Sequence, residues 1–468
     1  MTTLITSRST RRWLALGVLA LAQFLVVLDA SIVNIALPSV GEALGLDTAA
    51  LSWALTAYIL PFGGLLLFGG RLADRFGHRR IFLIGVAGFV VASIVAGLAL
   101  NGGMLLAARA LQGASAALLA PASLALVTKL FLTSSDRAKA LGIWGAVAGI
   151  GAAAGVLLGG VLTAAFGWQA VFFVNVPVGI LVLVAIPLLI TSDPRVAAGK
   201  LDAPGAVTVT AGLVSLVAGL TQGEQLGFGH PVTLTLLTLS VVLLAAFVII
   251  ERRSTSPLVP FGIFRRGGLA AGNVAMLFMG GATVALFFAL SVYLQAVLGY
   301  DALAAGLSQL PLAAVIVIAA VAVPAVLAKV GVRATLIGSM LLFAAGLVWR
   351  SFAPSDAGFV QHLLGPTIVI GIAMGGAFIS ATQLAVSGVD ESDDGLASGL
   401  VNTSQQIGGA VGFAVLATIG TAHTEALLSG GSTPQVALTA GFSWVFLGAA
   451  VLVALGAAAV AILARRRA

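Results

Sequence analysis

The sequence contains no cysteine. Disulfides, thiolate nucleophiles and cysteine-ligated metal centres are therefore excluded. Charge is scarce as well. Only 8% of the 468 residues are Asp, Glu, Lys or Arg, whereas a soluble domain carries about 25%. The nucleotide-binding pattern Gly-x4-Gly-Lys-Ser/Thr is missing, so nothing in the chain points to ATP hydrolysis as an energy source. His78, His230, His362 and His423 stand at no metal-ligand spacing and read as solvated loop residues. With no nucleophile–histidine pair inside an apolar run, a membrane-embedded enzyme is not the reading.

What the chain does have is apolar length. Hydrophobic residues make up 60% of it, and the mean hydropathy is +1.14. The runs are about 18–25 residues long, the length of spanning helices rather than of barrel strands. We place fourteen spans, at 13–37, 51–70, 81–100, 104–128, 140–164, 169–190, 204–221, 232–250, 269–298, 302–326, 334–350, 360–386, 397–421 and 436–463. Charge checks the count. With the N-terminus inside, 21 of the 23 basic residues fall in cytoplasmic segments; the exceptions are Arg109, within a span, and Arg350, at an outer end. That alternation obeys the positive-inside rule and makes the net charge of +7 a topology signal. The expected partners are thus a lipid bilayer and not nucleic acid, with the chain multi-pass in the cytoplasmic membrane and both termini cytoplasmic. Arg8, Arg11 and Arg12 before the first run resemble a signal-peptide start, but the run is too long for one and is read as a retained span.

The chain also repeats itself. Lys329-Val330-Gly331-Val332-Arg333 echoes Arg75-Phe76-Gly77-His78-Arg79, and Ile407-Gly408 with Gly412 echoes Ile150-Gly151 with Gly155. Two related six-helix halves are a transporter architecture with a midplane site between them. The fold class expected is an all-α integral membrane protein of fourteen transmembrane helices. It divides into an N-terminal bundle (1–203), two linker helices with a cytoplasmic loop (204–268) and a C-terminal bundle (269–468).

Of the 16 acidic residues, Asp29 is the one placed inside a span. An Asp at the centre of a spanning helix costs roughly 2.5–3.5 kcal/mol on insertion scales, so it is a functional and protonatable candidate by default. Arg109 is read as the one cation inside a span. At about 1.5 Å per residue, Arg109 lies roughly 8 Å and Asp29 roughly 12 Å below the same outer face. The two are within side-chain reach if their helices adjoin; a purely structural ion pair is the alternative. Asn34, Tyr58, Gln112, Trp144, Tyr293, Gln295, Asn402, Gln405 and Gln406 are polar or aromatic groups within spans. Each is a candidate cavity residue or an interhelical hydrogen bond.

Five stretches carry a family resemblance. Gly70-Arg71-Leu72-Ala73-Asp74-Arg75-Phe76-Gly77-His78-Arg79-Arg80 resembles the signature loop of the major facilitator superfamily. Arg109-Ala110-Leu111-Gln112-Gly113 is similar to its Arg-x-x-Gln-Gly motif. Gly151, Gly155, Gly159 and Gly160 match an antiporter motif in which Val156 replaces proline; helix packing through small residues is part of their role in any case. Leu28-Asp29-Ala30-Ser31 through Pro38, with Gly167-Trp168 through Gly179, resembles the fourteen-span drug/proton antiporters. The resemblance implies a proton-coupled exporter of drug-like, lipophilic compounds, monovalent cationic or neutral. Such a protein needs no cofactor beyond the proton gradient and works as a monomer on a small-molecule substrate. In it Asp29 and Arg109 carry the proton coupling, and Gly70, Asp74, Arg75, Gly77 and Arg79 form the cytoplasmic gate. A proton-coupled or facilitative transporter of one metabolite or antibiotic would share the fold.

Overall fold

A computed structural model describes residues 2–131, 136, 140, 151, 154–155, 157–191, 202–254, 257–259, 261–265, 268–386 and 394–465. The side chains of Arg71 and Asp74, all of Trp144, and Val156 lie outside the described set. No strand occurs among the described residues. The first half holds α1 (Thr2–Leu44), α2 (Thr48–Phe76), α3 (His78–Gly97), α4 (Gly102–Leu130), α5 (Leu157–Phe166) and α6 (Ala170–Leu189, interrupted at Val174). Between the halves stand α7 (Ala203–Leu226) and α8 (Pro231–Arg253). The second half holds α9 (Leu269–Val292), extended by a π-helical turn Tyr293–Val297, α10 (Ala302–Val330) and α11 (Val332–Ser351). It closes with α12 (Leu364–Val386), α13 (Asp394–Ser429) and α14 (Pro434–Arg465). Eleven of the described helices are long and apolar enough to cross a membrane; Ala50–Leu66, Leu157–Phe166 and Pro204–Leu220 are shorter apolar segments at three further predicted positions.

Three acids outside the apolar runs start helices. Asp47, Asp202 and Asp301 accept from the Ala50, Gly205 and Ala304 amides at 2.7, 2.8 and 2.7 Å, satisfying donors a helix cannot pair internally. Glu251, expected in a loop, is instead buried in the last turn of α8, where it accepts from the Leu258 and Val259 amides at 3.2 and 3.1 Å.

The sequence repeat is visible in the packing. Gly77 and Gly331 both turn at positive φ, 96° and 85°, closing α2 onto α3 and α10 onto α11. The α5 glycines lie on α1: a Cβ on Gly155 would stand 2.5 Å from Ser31 Cβ, and one on Gly159 would stand 2.9 Å from the Ile32 carbonyl. Their counterparts Gly408 and Gly412 lie in the same way on α9, against Leu277 and Gly281. In each half, then, a small-residue stripe lets a later helix lie directly on the first one.

The halves meet along α2 and α13, where Gly63 packs on Gln406, and α7 touches both of these helices. At the end where α1 and α9 finish, Ser291 Oγ donates to the Asn34 carbonyl and Gln295 Nε2 to that of Ile35 at 3.1 Å. There Gly160 of α5 also abuts the Ala302 carbonyl of α10. This end of the seam between the halves is closed by backbone-directed hydrogen bonds.

Candidate functional site: a buried ion pair inside the first half

The Asp29 side chain is fully buried, and two helices supply its three donors. Arg109 Nη1, from α4, donates to Oδ2 at 2.5 Å. Gln112 Nε2, one turn further along α4, donates to Oδ1 at 3.0 Å. Asn175 Nδ2, from α6, donates to the same Oδ1 at 2.8 Å. Around them Gln112 Oε1 accepts from Arg109 Nη1 at 2.9 Å, and Gln112 Nε2 also donates to Ser93 Oγ of α3 at 2.9 Å. Arg109 Nε donates to the Ala54 carbonyl at 3.2 Å, and its guanidinium lies 4.3 Å from the centre of the Tyr58 ring, a cation–π contact. The node thus joins α1, α2, α3, α4 and α6.

The motif glycines explain how five helices come this close. A Cβ on Gly113 would sit 2.1 Å from the Tyr58 carbonyl, so α4 can lie against α2 only with glycine there. A Cβ on Gly179 would sit 2.2 Å from Val90, which is how α6 reaches α3 and brings Asn175 beside Ser93. Buried charges persist when paired and hydrogen-bonded, as here. Asp29 Oδ1 already accepts from Gln112 and Asn175, so a proton arriving on that oxygen must displace a donor from α4 or α6.

Other predicted residues fall elsewhere. Tyr58 and Gln112 belong to the node. Asn34 and Gln295 lie at the closed end between the halves. Tyr293 is buried within the second half, its hydroxyl donating to the Pro354 carbonyl at 2.6 Å. Asn402, Gln405 and Gln406 are half-buried on α13 at the α2 and α9 contacts. Of the gate residues, Gly70 lies near Pro121 of α4, Gly77 forms the turn, Arg75 is exposed against Phe76, and Arg79 is partly buried.

Two readings need correction. Arg109 is not the lone buried cation: Arg350 is 2% exposed, between the Tyr293 and Phe446 rings, and none of its three guanidinium nitrogens has a hydrogen-bond partner among the described residues. The loop after α11 packs inward, with Ala353 and Ala357 buried. Nor are the histidines all solvated loop residues. His78 is buried at the start of α3 with Lys129 Nζ 2.8 Å from its Nδ1, and His423 lies within α13 against Trp444. Asn175 and Ser93 had no role assigned from the sequence; the Asn-x-Pro-x-Gly spacing at 175–179 was the available signal.

Helical halves related by a repeat, with a buried Asp–Arg pair in one of them, lead to the comparison that decides the family. The sequence profile of the Major Facilitator Superfamily matches residues 19–413. The chain belongs to this superfamily. Among superfamily relatives, it is 41% identical to a puromycin resistance protein of Streptomyces alboniger over 92% of this chain and 86% of that one. It is 42% identical to a cephamycin export protein of Amycolatopsis lactamdurans, over 88% and 86% of the two chains. A solved bacterial homologue of the human lysosomal transporter Spinster superposes with a TM-score of 0.71 at 17% identity, covering 97% of each chain; this likeness concerns the fold alone.

Proposed function

We propose that this chain exports antibiotic-like, lipophilic compounds across the cytoplasmic membrane in exchange for protons, with both termini in the cytoplasm. The observation that carries the reading is the Asp29 carboxylate, wholly buried and held by donors from α4 and α6. A group placed at that cost in a membrane helix is retained for function. The roles of these relatives, puromycin resistance and cephamycin export, support the substrate class. In this reading the chain acts as a monomer, residues 1–203 and 269–468 rock as two bundles around 204–268, and the closed end at Asn34 and Ser291 faces outward. Substrate and proton then use opposite states of the carrier. A test is to collapse the pH gradient in energised inverted vesicles containing the chain; drug accumulation that persists without the gradient would refute proton exchange.

Charge selectivity follows from the same node. Asp29 is already opposed by Arg109, and Asp301 and Glu425 are exposed rather than turned into a cavity. A divalent lipophilic cation would be poorly compensated on desolvation. Monovalent or neutral members of matched pairs are therefore expected to be transported faster than divalent ones in vesicles at equal pH gradient. Preference for the divalent member would contradict this.

The α2–α3 turn is the proposed cytoplasmic latch, with Asp74 as its acid. Asp74→Ala is expected to shift the population toward inward-facing states and to slow turnover. The native chain has no cysteine, so single cysteines introduced at the cytoplasmic mouth report directly. Their labelling should rise in Asp74→Ala; unchanged labelling would count against the latch.

A further inference from the structure

We infer that Asn175 is the hydrogen-bond acceptor for the proton carried by Asp29, its side-chain amide turning over when the carboxylate is protonated. The inference rests on the reading of Asp29 as the proton-coupling residue. Each neighbour of Asp29 is a donor in the structure, which suits a carboxylate and leaves a carboxyl O–H without an acceptor. Arg109 is a donor only, whatever the state. Gln112 cannot turn: its Oε1 accepts from Arg109 Nη1 at 2.9 Å, and a half-turn would set its amide protons against the guanidinium. Ser93 donates to the Phe89 carbonyl at 2.8 Å and accepts from Gln112, so its hydroxyl is engaged on both sides.

Asn175 differs. Its Nδ2 donates to Asp29 Oδ1 at 2.8 Å and reaches Ser93 Oγ only at 3.4 Å, while its Oδ1 is buried without a partner among the described residues. A half-turn about the last side-chain bond exchanges Nδ2 and Oδ1. The oxygen then faces Asp29 Oδ1 and accepts the new O–H, and the only other bond given up is the weak one to Ser93. The incoming proton adds to Oδ1, no other bond breaks, and the charge of the Asp29–Arg109 pair rises by one. The Asp29 carboxyl is thereby hydrogen-bonded in both protonation states, and neither leaves it a buried group without a partner. Asn175 is a positioning residue in this scheme: it touches the proton carrier, not the drug.

The test is infrared difference spectroscopy of the full chain in nanodiscs, cycled between low and high pH. The carboxyl band removed by Asp29→Asn belongs to Asp29. In the wild type, isotope-labelled asparagine should show a side-chain carbonyl shift to lower wavenumber in the same step, and Asp29→Asn should remove it. In Asn175→Leu the Asp29 band should move to higher wavenumber, as for a carboxyl without an acceptor. Proton-driven efflux in that variant should fall by about tenfold, the scale of one hydrogen bond to a charged group. If the Asp29 band titrates but no asparagine signal accompanies it, the inference is wrong and the proton reading stands, whether or not Asn175→Leu folds. If no titrating band is lost in Asp29→Asn, the proton reading fails and the inference with it.

Discussion

Asp29→Asn should abolish proton-driven efflux while leaving a folded carrier that still exchanges neutral substrate downhill. Asparagine keeps the volume of the side chain and one oxygen for Arg109 Nη1. The guanidinium also retains the Ala54 carbonyl, Gln112 Oε1 and the Tyr58 ring. Those contacts limit the cost of removing the counter-charge, but nothing at the site can then take up and release a proton. The measurement is a pH jump across proteoliposomes, with counterflow of labelled substrate as the control for binding. Full uphill transport by the Asn variant would remove Asp29 from the mechanism.

The two buried arginines should respond in opposite directions to the same substitution. Arg109→Met strands a fully buried carboxylate, and breaking a buried pair from one side costs about 3–5 kcal/mol. Arg350→Met removes a guanidinium whose three nitrogens have no acceptor among the described residues. Replacing buried charge with a side chain of similar volume is often neutral or stabilising, by about 1–4 kcal/mol, while the lost ring contacts return about 1–2 kcal/mol of that gain. Thermal unfolding in detergent should therefore show a marked fall for Arg109→Met and little change or a rise for Arg350→Met. Adding Asp29→Leu to Arg109→Met should recover much of the loss, because the stranded charge is gone. Equal falls for both single variants would show that Arg350 has a partner as strong as Asp29.

Much of this architecture could be read from the chain because a bilayer admits few solutions. Apolar run length and the alternation of basic loops place the helices, and the repeat pairs the halves. The Asp29–Arg109 contact was legible for a similar reason: two lone charges at matching depth have little choice but to meet. Asn175 and Ser93 were not, since an asparagine or serine in a span is ordinary, and only the packing of α6 on α3 through Gly179 brings them to the carboxylate. Arg350 was misread because an arginine at the end of an apolar run normally reaches for the interface. Here Tyr293 pins the following loop at Pro354 and closes that route.

The position of α7 and α8 has a consequence for how a lipophilic compound could approach. α7 lies against both α2 and α13, with Thr210 Oγ1 donating to the Gly64 carbonyl at 3.0 Å. The hairpin therefore walls off that seam from the surrounding acyl chains. A carrier without these helices could be loaded sideways from the bilayer through either seam. In this one the α2–α13 flank is covered by α7, so a compound dissolved in the membrane would not enter sideways there.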